Sequence, residues 1–454
     1  MTTPARRDVV PFRAAVRTWF AISLQTFGGP AGQIAVMQHI LVDDKRWIGQ
    51  RRFLHALNYC MLLPGPEAQQ LAIYIGWLLN GARGGLVAGV LFVLPGMVAM
   101  LVLSAIYVTL GDTTAVTAVF AGLAPAVLAI VAHAVWRVGR RALAHPALVV
   151  IAVASFVALA FFAVPFPVVI VAAGVAGWLL HRRAPHAVTA GSDDADDAPP
   201  PLIADEALHI ERPSARRLTT IAGVGLLLWA APVAAAALLT GAGGVLTTQG
   251  LFFSGTAVLT FGGAYAVLAY VAQQAVGTYA WLTPGEMIRG LALAETTPGP
   301  LIMVVQFVAF LGAYRDPGSL DPWVAAVLAA LLTTWVTFVP CFLFIFLGAP
   351  YVERLRGNQG LSAALTGITA AVVGVIANLG VYFAAHTLFG ATGQYRWGPL
   401  RVDLPDPGTS RPVALAIAAV AALLVFRLRW SVLRTLGVCA VLGIAATAAG
   451  LGTS

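Results

Sequence analysis

Several stretches of this chain stay apolar for 20 residues or more, for example 85–110, 115–136, 218–239 and 323–347. A bilayer core about 30 Å thick takes about 20 apolar residues to cross as a helix. Of the 454 residues, 59% are hydrophobic and only 10% are charged, whereas a soluble globular chain carries roughly a quarter charged residues. The sequence therefore predicts an all-α polytopic membrane protein embedded in a lipid bilayer.

Basic residues exceed acidic ones by 27 to 19, and all but one of them are arginine. The arginines lie at the ends of the apolar segments, as topology anchors do, so this charge does not indicate nucleic acid binding. Cys60, Cys341 and Cys439 lie inside apolar segments and are expected to be small core residues. Phosphate-loop, zinc-protease and serine-hydrolase motifs are absent. We expect no enzyme activity, no cofactor and no metal.

A polar stretch at 181–217 divides the chain. It holds seven of the 19 acidic residues and the run 199–201 of three prolines, and such a composition cannot bury a core. We predict a first repeat over 1–180, a flexible cytoplasmic linker over 181–217, and a second repeat with extra flanking helices over 218–454.

Short motifs recur at one fixed separation. Three pairs lie 234 positions apart: Phe27-Gly28-Gly29 with Phe261-Gly262-Gly263, Trp47 with Trp281, and Pro64-Gly65-Pro66 with Pro298-Gly299-Pro300. Pro95 and Pro340 match at a separation of 245, which fits one insertion of 11 residues in the second half. A constant separation predicts a tandem duplication.

The number of spans decides how the two halves are oriented. In each half, two segments are interrupted by glycine and proline; in the first half these are 25–40 and 53–79, and each either spans the bilayer or re-enters it. Charge favours re-entry, which keeps the basic residues between 13 and 83 on the cytoplasmic side. Further spans are predicted at 86–110, 117–137, 147–163, 166–180 and 218–240, with Pro165 and Pro167 separating the third from the fourth. The count is odd, so the halves are predicted to be inverted repeats.

The interruptions are the candidate site. Proline suits the first turn of a helix and glycine allows a tight turn before it, so Pro30, Pro66 and Pro300 are expected to begin half-helices within the membrane. A helix start presents free N–H groups and a partial positive charge, which together bind anions. The alternative is that these small residues only allow close helix packing.

Polar residues flank the interruptions and complete the predicted substrate site. Amide and hydroxyl donors can bond the oxygens of an oxyanion, although each can also bond a neighbouring helix. The predicted substrate-binding residues are Thr26, Gly28, Gly29, Gln33, Gly65, Gln69 and Gln70 in the first half, and Thr260, Gly262, Gly263, Thr297 and Gly299 in the second.

Two carboxylates, Glu67 and Glu295, lie in apolar surroundings. Acids inside membranes are costly and usually functional, so we expect them to couple proton movement to anion release. For Glu67, directly after Pro66, the alternative is a charge that stabilises a helix start.

The motifs Phe27-Gly28-Gly29-Pro30 and Leu63-Pro64-Gly65-Pro66-Glu67-Ala68-Gln69-Gln70, with their second-half counterparts, resemble the long-chain, two-domain chromate ion transporters of bacteria. The resemblance covers nearly the whole chain outside the linker and the last two helices. It implies a secondary transporter in the bacterial inner membrane that exports chromate, a tetrahedral dianion shaped like sulfate, with protons as the driving ion. A sulfate or other oxyanion transporter and an anion channel are the alternatives. A homodimer is compatible with the sequence, which leaves the oligomeric state open.

The inverted arrangement predicts opposite exposure of two matched loops. In intact cells, an impermeant maleimide should label Thr278→Cys and spare Lys45→Cys, because the loop around Lys45 is basic and the one around Thr278 has no Lys or Arg. Both should react in permeabilised cells. Equal labelling of both in intact cells would contradict the inverted repeat.

Overall fold

A computed structural model describes residues 8–27, 29–183, 202, 214–261, 264–348, 359–398 and 400–451. These residues are mostly helical. The helices are α1 Phe12–Ser23, α2 Gly29–Gln38, α3 Gln50–Leu62, α4 Glu67–Leu110, α5 Thr114–Ala142, α6 Pro146–Phe162, α7 Phe166–Arg183, α8 Ala215–Thr240, α9 Val245–Leu259, α10 Ala264–Gln273, α11 Pro284–Thr296, α12 Val304–Arg315, α13 Pro322–Gly348, α14 Gln359–Leu388, α15 Pro412–Ala422 and α16 Val432–Ala448.

Among the described residues, six helices are long and apolar enough to cross a membrane: α4, α5, α7, α8, α13 and α14. Five shorter apolar helices accompany them. The prediction of an all-α polytopic membrane protein is confirmed. The linker predicted at 181–217 lies largely outside the described residues, and the division into repeats stays a prediction.

Prolines end helices where the sequence analysis expected it. α6 ends at Phe162, Ala163 takes a left-handed conformation (φ +48°), and α7 begins at Phe166. Pro165 lies between the two helices, where its missing N–H removes no helical hydrogen bond. The predicted separation of these two spans is confirmed.

The long helix α4 joins two predicted segments that the sequence analysis kept apart. It runs from Glu67 to Leu110 and leaves helical geometry only at Asn80 and Gly81, where Gly81 has φ +66°. The residues before this kink continue directly into the predicted span 86–110, so the second interruption of the first half and the first full span form one bent element.

The chain forms two compact units. The first comprises 1–101, 190–264 and 297–358, and the second comprises 102–189, 265–296 and 359–454. Each unit draws segments from both predicted repeats.

In the first unit, α13 packs against α8, α9 and α12. A buried apolar cluster there joins α1, α3, α4 and α13 through residues such as Trp19, Phe53, Ile75 and Ile345. In the second unit, α14 packs against α5, α6 and α7, and α5 also packs against α16. Glycine allows α7 and α14 to approach closely, because a Cβ on Gly367 would overlap the carbonyl oxygen of Ala173.

Three helices end in the same unusual turn. α2, α10 and α15 each continue into a short π-helix, His39–Asp44, Gln274–Thr278 and Leu423–Arg427. A residue other than glycine with φ of 51° to 54° follows, namely Arg46, Ala280 or Arg429. The N–H of the next residue, Trp47, Trp281 or Trp430, then donates to the carbonyl of Leu41, Ala275 or Leu424 at 2.8 to 3.0 Å.

One element adds to the predicted all-α fold. β1 Thr392–Trp397 and β2 Leu400–Pro405 form an antiparallel hairpin in the second unit. Gly398, with φ +62°, begins its turn. A glycine-proline pair between two strand-like runs is a turn signal that the sequence carries.

Candidate functional site

The Pro64-Gly65-Pro66 interruption is an extended segment between two helices. α3 ends at Leu62 and α4 begins at Glu67, and Gly65 between them has φ +121°. The N–H of Gly65 donates to the carbonyl of Thr260, the C-cap residue of α9, at 2.8 Å. A backbone group far along the chain therefore satisfies this turn.

The Pro298-Gly299-Pro300 interruption repeats the geometry with the roles exchanged. Gly299 has φ +100° and its N–H donates to the carbonyl of Thr26 at 2.8 Å. The two donors are 234 positions apart, and so are the two acceptors. Each glycine turn of one predicted half is thus bonded to the residue that precedes the phenylalanine-glycine motif of the other half.

Small residues lie against both glycines. A Cβ on Gly65 would lie 2.9 Å from the Cys341 Sγ and 2.9 Å from the Gln70 Nε2, and a Cβ on Gly299 would lie 3.3 Å from the Gly96 Cα. Gly96 and Cys341 directly follow the matched prolines Pro95 and Pro340. A Cβ at either turn would therefore force its neighbours to shift, and the φ values of both glycines disfavour a side chain as well.

The helices that follow these turns begin inside the first unit. In α4 the first helical hydrogen bond runs from the N–H of Gln70 to the carbonyl of Pro66, at 3.1 Å. After the second turn, the short 3₁₀ helix Leu301–Met303 leads into α12, with the N–H of Met303 bonded to Pro300 at 2.9 Å. The amides ahead of these bonds belong to helix starts, which carry partial positive charge.

Three predicted glutamines are fully buried, and two of them hold the turns. Gln33 donates through Nε2 to the carbonyl of Gly299, and Gln70 donates through Nε2 to the carbonyl of Pro64 at 2.7 Å. Gln69 is 0% exposed, and neither its amide nitrogen nor its amide oxygen has a hydrogen-bond partner among the described residues. Because a buried amide without partners is costly, Gln69 is a candidate for contact with a ligand.

The predicted threonines are buried in the first unit. The hydroxyl of Thr26 donates to Ser23 at 3.0 Å, and that of Thr260 donates to Thr256 at 2.6 Å. The two hydroxyl groups thus donate hydrogen bonds to residues three or four positions earlier in the chain, while the carbonyl groups of Thr26 and Thr260 accept hydrogen bonds from the glycine turns. Thr297 is also buried. Gly29 begins α2 with φ +74°, and Gly28, Gly262 and Gly263 lie outside the described residues.

The two predicted carboxylates have different surroundings. Glu67 is partly buried in the first turn of α4, where a negative charge complements the helix dipole. Glu295 is 1% exposed near the end of α11, in the second unit. The phenol of Tyr265 donates to its Oε1 at 2.5 Å, while its Oε2 has no hydrogen-bond partner in the described part of the chain.

Three site residues escaped the sequence analysis. Tyr265 was missed because it lies 30 positions before its partner Glu295, although a phenol in an apolar segment just after a glycine motif is a signal. Gly96 and Cys341 were missed although they follow the matched prolines directly. Gly96 and Cys341 are themselves separated by 245 positions, so the separation that pairs Pro95 with Pro340 also pairs these two residues.

Comparison with known proteins decides the family. The model of the chromate transporter family matches residues 13–178 and 247–444. The chain belongs to the chromate transporter family. The resemblance inferred from the paired glycine-proline motifs is therefore confirmed.

Named relatives agree with this assignment. The chain is 33% identical over 390 residues to a chromate transport protein of Pseudomonas aeruginosa, covering 82% of each chain. It is 27% identical to a chromate transport protein of Cupriavidus metallidurans, covering 91% of this chain and 88% of the relative. It is 26% identical to a probable chromate transport protein of Synechococcus elongatus, covering 87% and 91%. No solved structure matches the chain.

The crowded glycine turns predict a sharp loss of transport on adding one methyl group. At Gly65 a Cβ would lie 2.9 Å from two side-chain atoms, and at Gly299 it would lie 3.3 Å from the Gly96 backbone. Gly65→Ala and Gly299→Ala also hold alanine at a φ that costs an ordinary residue about 1–3 kcal/mol. We expect each variant to lose most chromate transport in vesicles while remaining in the membrane.

Gly241→Ala is the matched control for that experiment. Gly241 also has a positive φ, +83°, but a Cβ there meets nothing within 4 Å. It should keep transport close to wild type. Normal transport by both Gly65→Ala and Gly299→Ala would show that the turns do not shape the site.

Proposed function

We propose that this member of the chromate transporter family exports chromate across the bacterial inner membrane, driven by the proton-motive force. The observation that carries the proposal is the reciprocal pair of backbone hydrogen bonds, from Gly65 to Thr260 and from Gly299 to Thr26. These bonds join the two glycine turns to the opposite predicted half in one compact unit, and each turn leads into a helix start. The relatives named as chromate transport proteins support the substrate.

The substrate site is proposed to consist of neutral donors. Gln69 supplies an amide N–H, and the helix starts after Pro66 and Pro300 supply backbone N–H groups and partial positive charge. Such donors bind a dianion without forming a tight ion pair, so the anion can also leave. The glycine N–H groups already serve the Thr260 and Thr26 carbonyls and are assigned to shaping the site.

The proton is proposed to bind at Glu295. Its Oε1 is held by Tyr265 and its buried Oε2 is available for a proton. The positive charge of Arg137 acts electrostatically on the pair. Glu295 precedes Thr297 by two residues in the sequence.

Glu67 is the second proposed proton-coupling group. It occupies the first turn of the helix that presents Gln69 and Gln70. A carboxylate and a dianion repel strongly in a medium of low dielectric constant, so the protonation state of Glu67 changes the affinity of the site for the anion. A helix-stabilising charge is the competing role for this residue.

The proposed function predicts uncoupler-sensitive accumulation of chromate. Everted membrane vesicles that contain the protein should concentrate radiolabelled chromate when respiration acidifies their interior, because export from the cell corresponds to uptake by the everted vesicle. An uncoupler should abolish accumulation, and vesicles without the protein are the control. Accumulation that the uncoupler does not affect would contradict proton coupling. Faster accumulation of labelled sulfate than of labelled chromate would show that sulfate, and not chromate, is the preferred substrate.

The same vesicles identify the proton carrier. Glu295→Gln should retain exchange of labelled for unlabelled chromate and lose accumulation against a gradient, because the amide cannot carry a proton. Tyr265→Phe should weaken accumulation, since the carboxyl group then loses the hydrogen bond from the Tyr265 phenol. These effects are expected to exceed tenfold in steady-state accumulation, which corresponds to about 1.4 kcal/mol.

Glu286→Gln is the matched control on the same helix. Glu286 forms a capping box with Thr283, at 2.9 Å from Glu286 Oε2 to the Thr283 N–H, and glutamine also suits that position. It should accumulate chromate like wild type. If Glu67→Gln loses accumulation while Glu295→Gln retains it, Glu67 is the carrier and the assignment to Glu295 is wrong.

A further inference from the structure

The β-hairpin of the second unit is fastened to the end of a membrane-crossing helix. α14 is one of the six helices suited to cross the bilayer, and only residues 389–391 separate it from β1. The base of the hairpin is closed by the N–H of Gly390 bonded to Thr409 at 2.9 Å and by the N–H of Arg411 bonded to Leu388 at 2.8 Å. The hairpin therefore lies at the boundary between membrane and water.

The strand register sorts the hairpin into two unlike faces. Tyr395 pairs with Val402 and Trp397 pairs with Leu400, and these four residues share one face. Trp397 is 62% exposed and Tyr395 is 49% exposed, with their rings stacked at 6.1 Å between centroids. Exposed apolar patches mark surfaces that contact a membrane or another protein.

The other face carries two arginines opposite each other. Arg396 pairs directly with Arg401 in the register, and both side chains are exposed. Like charges at directly opposed positions destabilise a two-stranded sheet. No ion pair to either arginine occurs among the described residues, so an anion from outside the chain would relieve their repulsion.

Topology does not account for these arginines. α5 ends with Arg140 and Arg141 and α7 ends with Arg182 and Arg183, which assigns those helix ends to the cytoplasmic side. α6 starts on that side and runs parallel to α14, since Leu148 packs with Ala363 and Ala370 while the Cβ position of Gly374 lies against Ala152. The hairpin follows the far end of α14, on the outer side, where the positive-inside rule disfavours arginine.

We propose that the hairpin is a membrane-surface anchor that binds anionic lipid headgroups. Its aromatic face, formed by Tyr395, Trp397, Leu400 and Val402, enters the outer interface of the bilayer, where tyrosine and tryptophan are favoured. Arg396 and Arg401 lie at the depth of the phosphates and bind them, as basic residues next to anionic lipid do. The hairpin thereby fixes the outer ends of α14 and α15 at one depth.

Spin labels on the full-length protein in nanodiscs test the depth of each face. A label at Trp397→Cys should collide more with oxygen than with a water-soluble nickel complex, and a label at Asp403→Cys, on the other face, should show the reverse. Val171→Cys, at a 65% exposed position on the spanning helix α7, is the lipid-exposed control. Asp112→Cys, in the loop between α4 and α5, is the water-exposed control on the same side.

The arginine pair is tested with lipids of different charge. Replacing phosphatidylcholine with phosphatidylglycerol should raise the oxygen preference of the label at 397, and Arg396→Gln with Arg401→Gln should abolish that increase. Arg427→Gln with Arg429→Gln, at the other end of α15, should leave the increase intact.

Three results would overturn the proposal. A water-like label at 397 in nanodiscs that hold one chain would exclude the lipid surface. Protection of that label in lipid-free detergent, in proportion to the dimer content, would identify a second copy as the covering surface. An unchanged phosphatidylglycerol effect in the Arg396→Gln, Arg401→Gln variant would exclude the headgroup contact.

Discussion

The requirement that every backbone polar group find a partner governs the interior of this protein. Hydrocarbon offers no water to an interrupted helix, so irregular backbone at membrane depth persists only where protein satisfies it. Here each Pro-Gly-Pro interruption is bonded to the other predicted half, through the Gly65 and Gly299 N–H groups and the Thr260 and Thr26 carbonyls. Neither interruption is complete without the other, and this mutual dependence explains why the paired motifs occur together.

The same constraint separates residues that build the site from residues that can serve a ligand. The side-chain amides of Gln33 and Gln70 donate to the carbonyls of Gly299 and Pro64. The amide of the neighbouring Gln69 has no hydrogen-bond partner among the described residues. Side chains of one chemical type and similar burial thus have different roles. The hydrogen-bond partners of the three glutamines distinguish them, whereas their polarity does not.

Local chemistry made much of the fold predictable. Apolar length located the spans, Pro165 separated α6 from α7, and the glycine-proline pairs located the interruptions, because each of these effects acts within a few residues of the chain. Which carbonyl meets the N–H of Gly65, and which phenol meets Glu295, are long-range matters that no local pattern encodes. The hairpin at 392–405 was not predicted for a different reason. Its Gly-Pro turn signal is present in the sequence, but the long apolar segments on either side of it are typical of helices.

The turn that ends α2, α10 and α15 has a consequence for how the chain is oriented. The three copies share a π-helical end, a left-handed residue and a tryptophan-closed loop, yet the left-handed residue is arginine in two copies, Arg46 and Arg429, and alanine in one, Ala280. The backbone geometry is therefore indifferent to charge at that position. Arginine stands in the two turns that the charge pattern assigns to the cytoplasm, and the uncharged residue stands in the turn assigned to the outside. The shape of the turn is thus independent of the charge that its left-handed residue carries, so one backbone architecture suits loops on either side of a membrane.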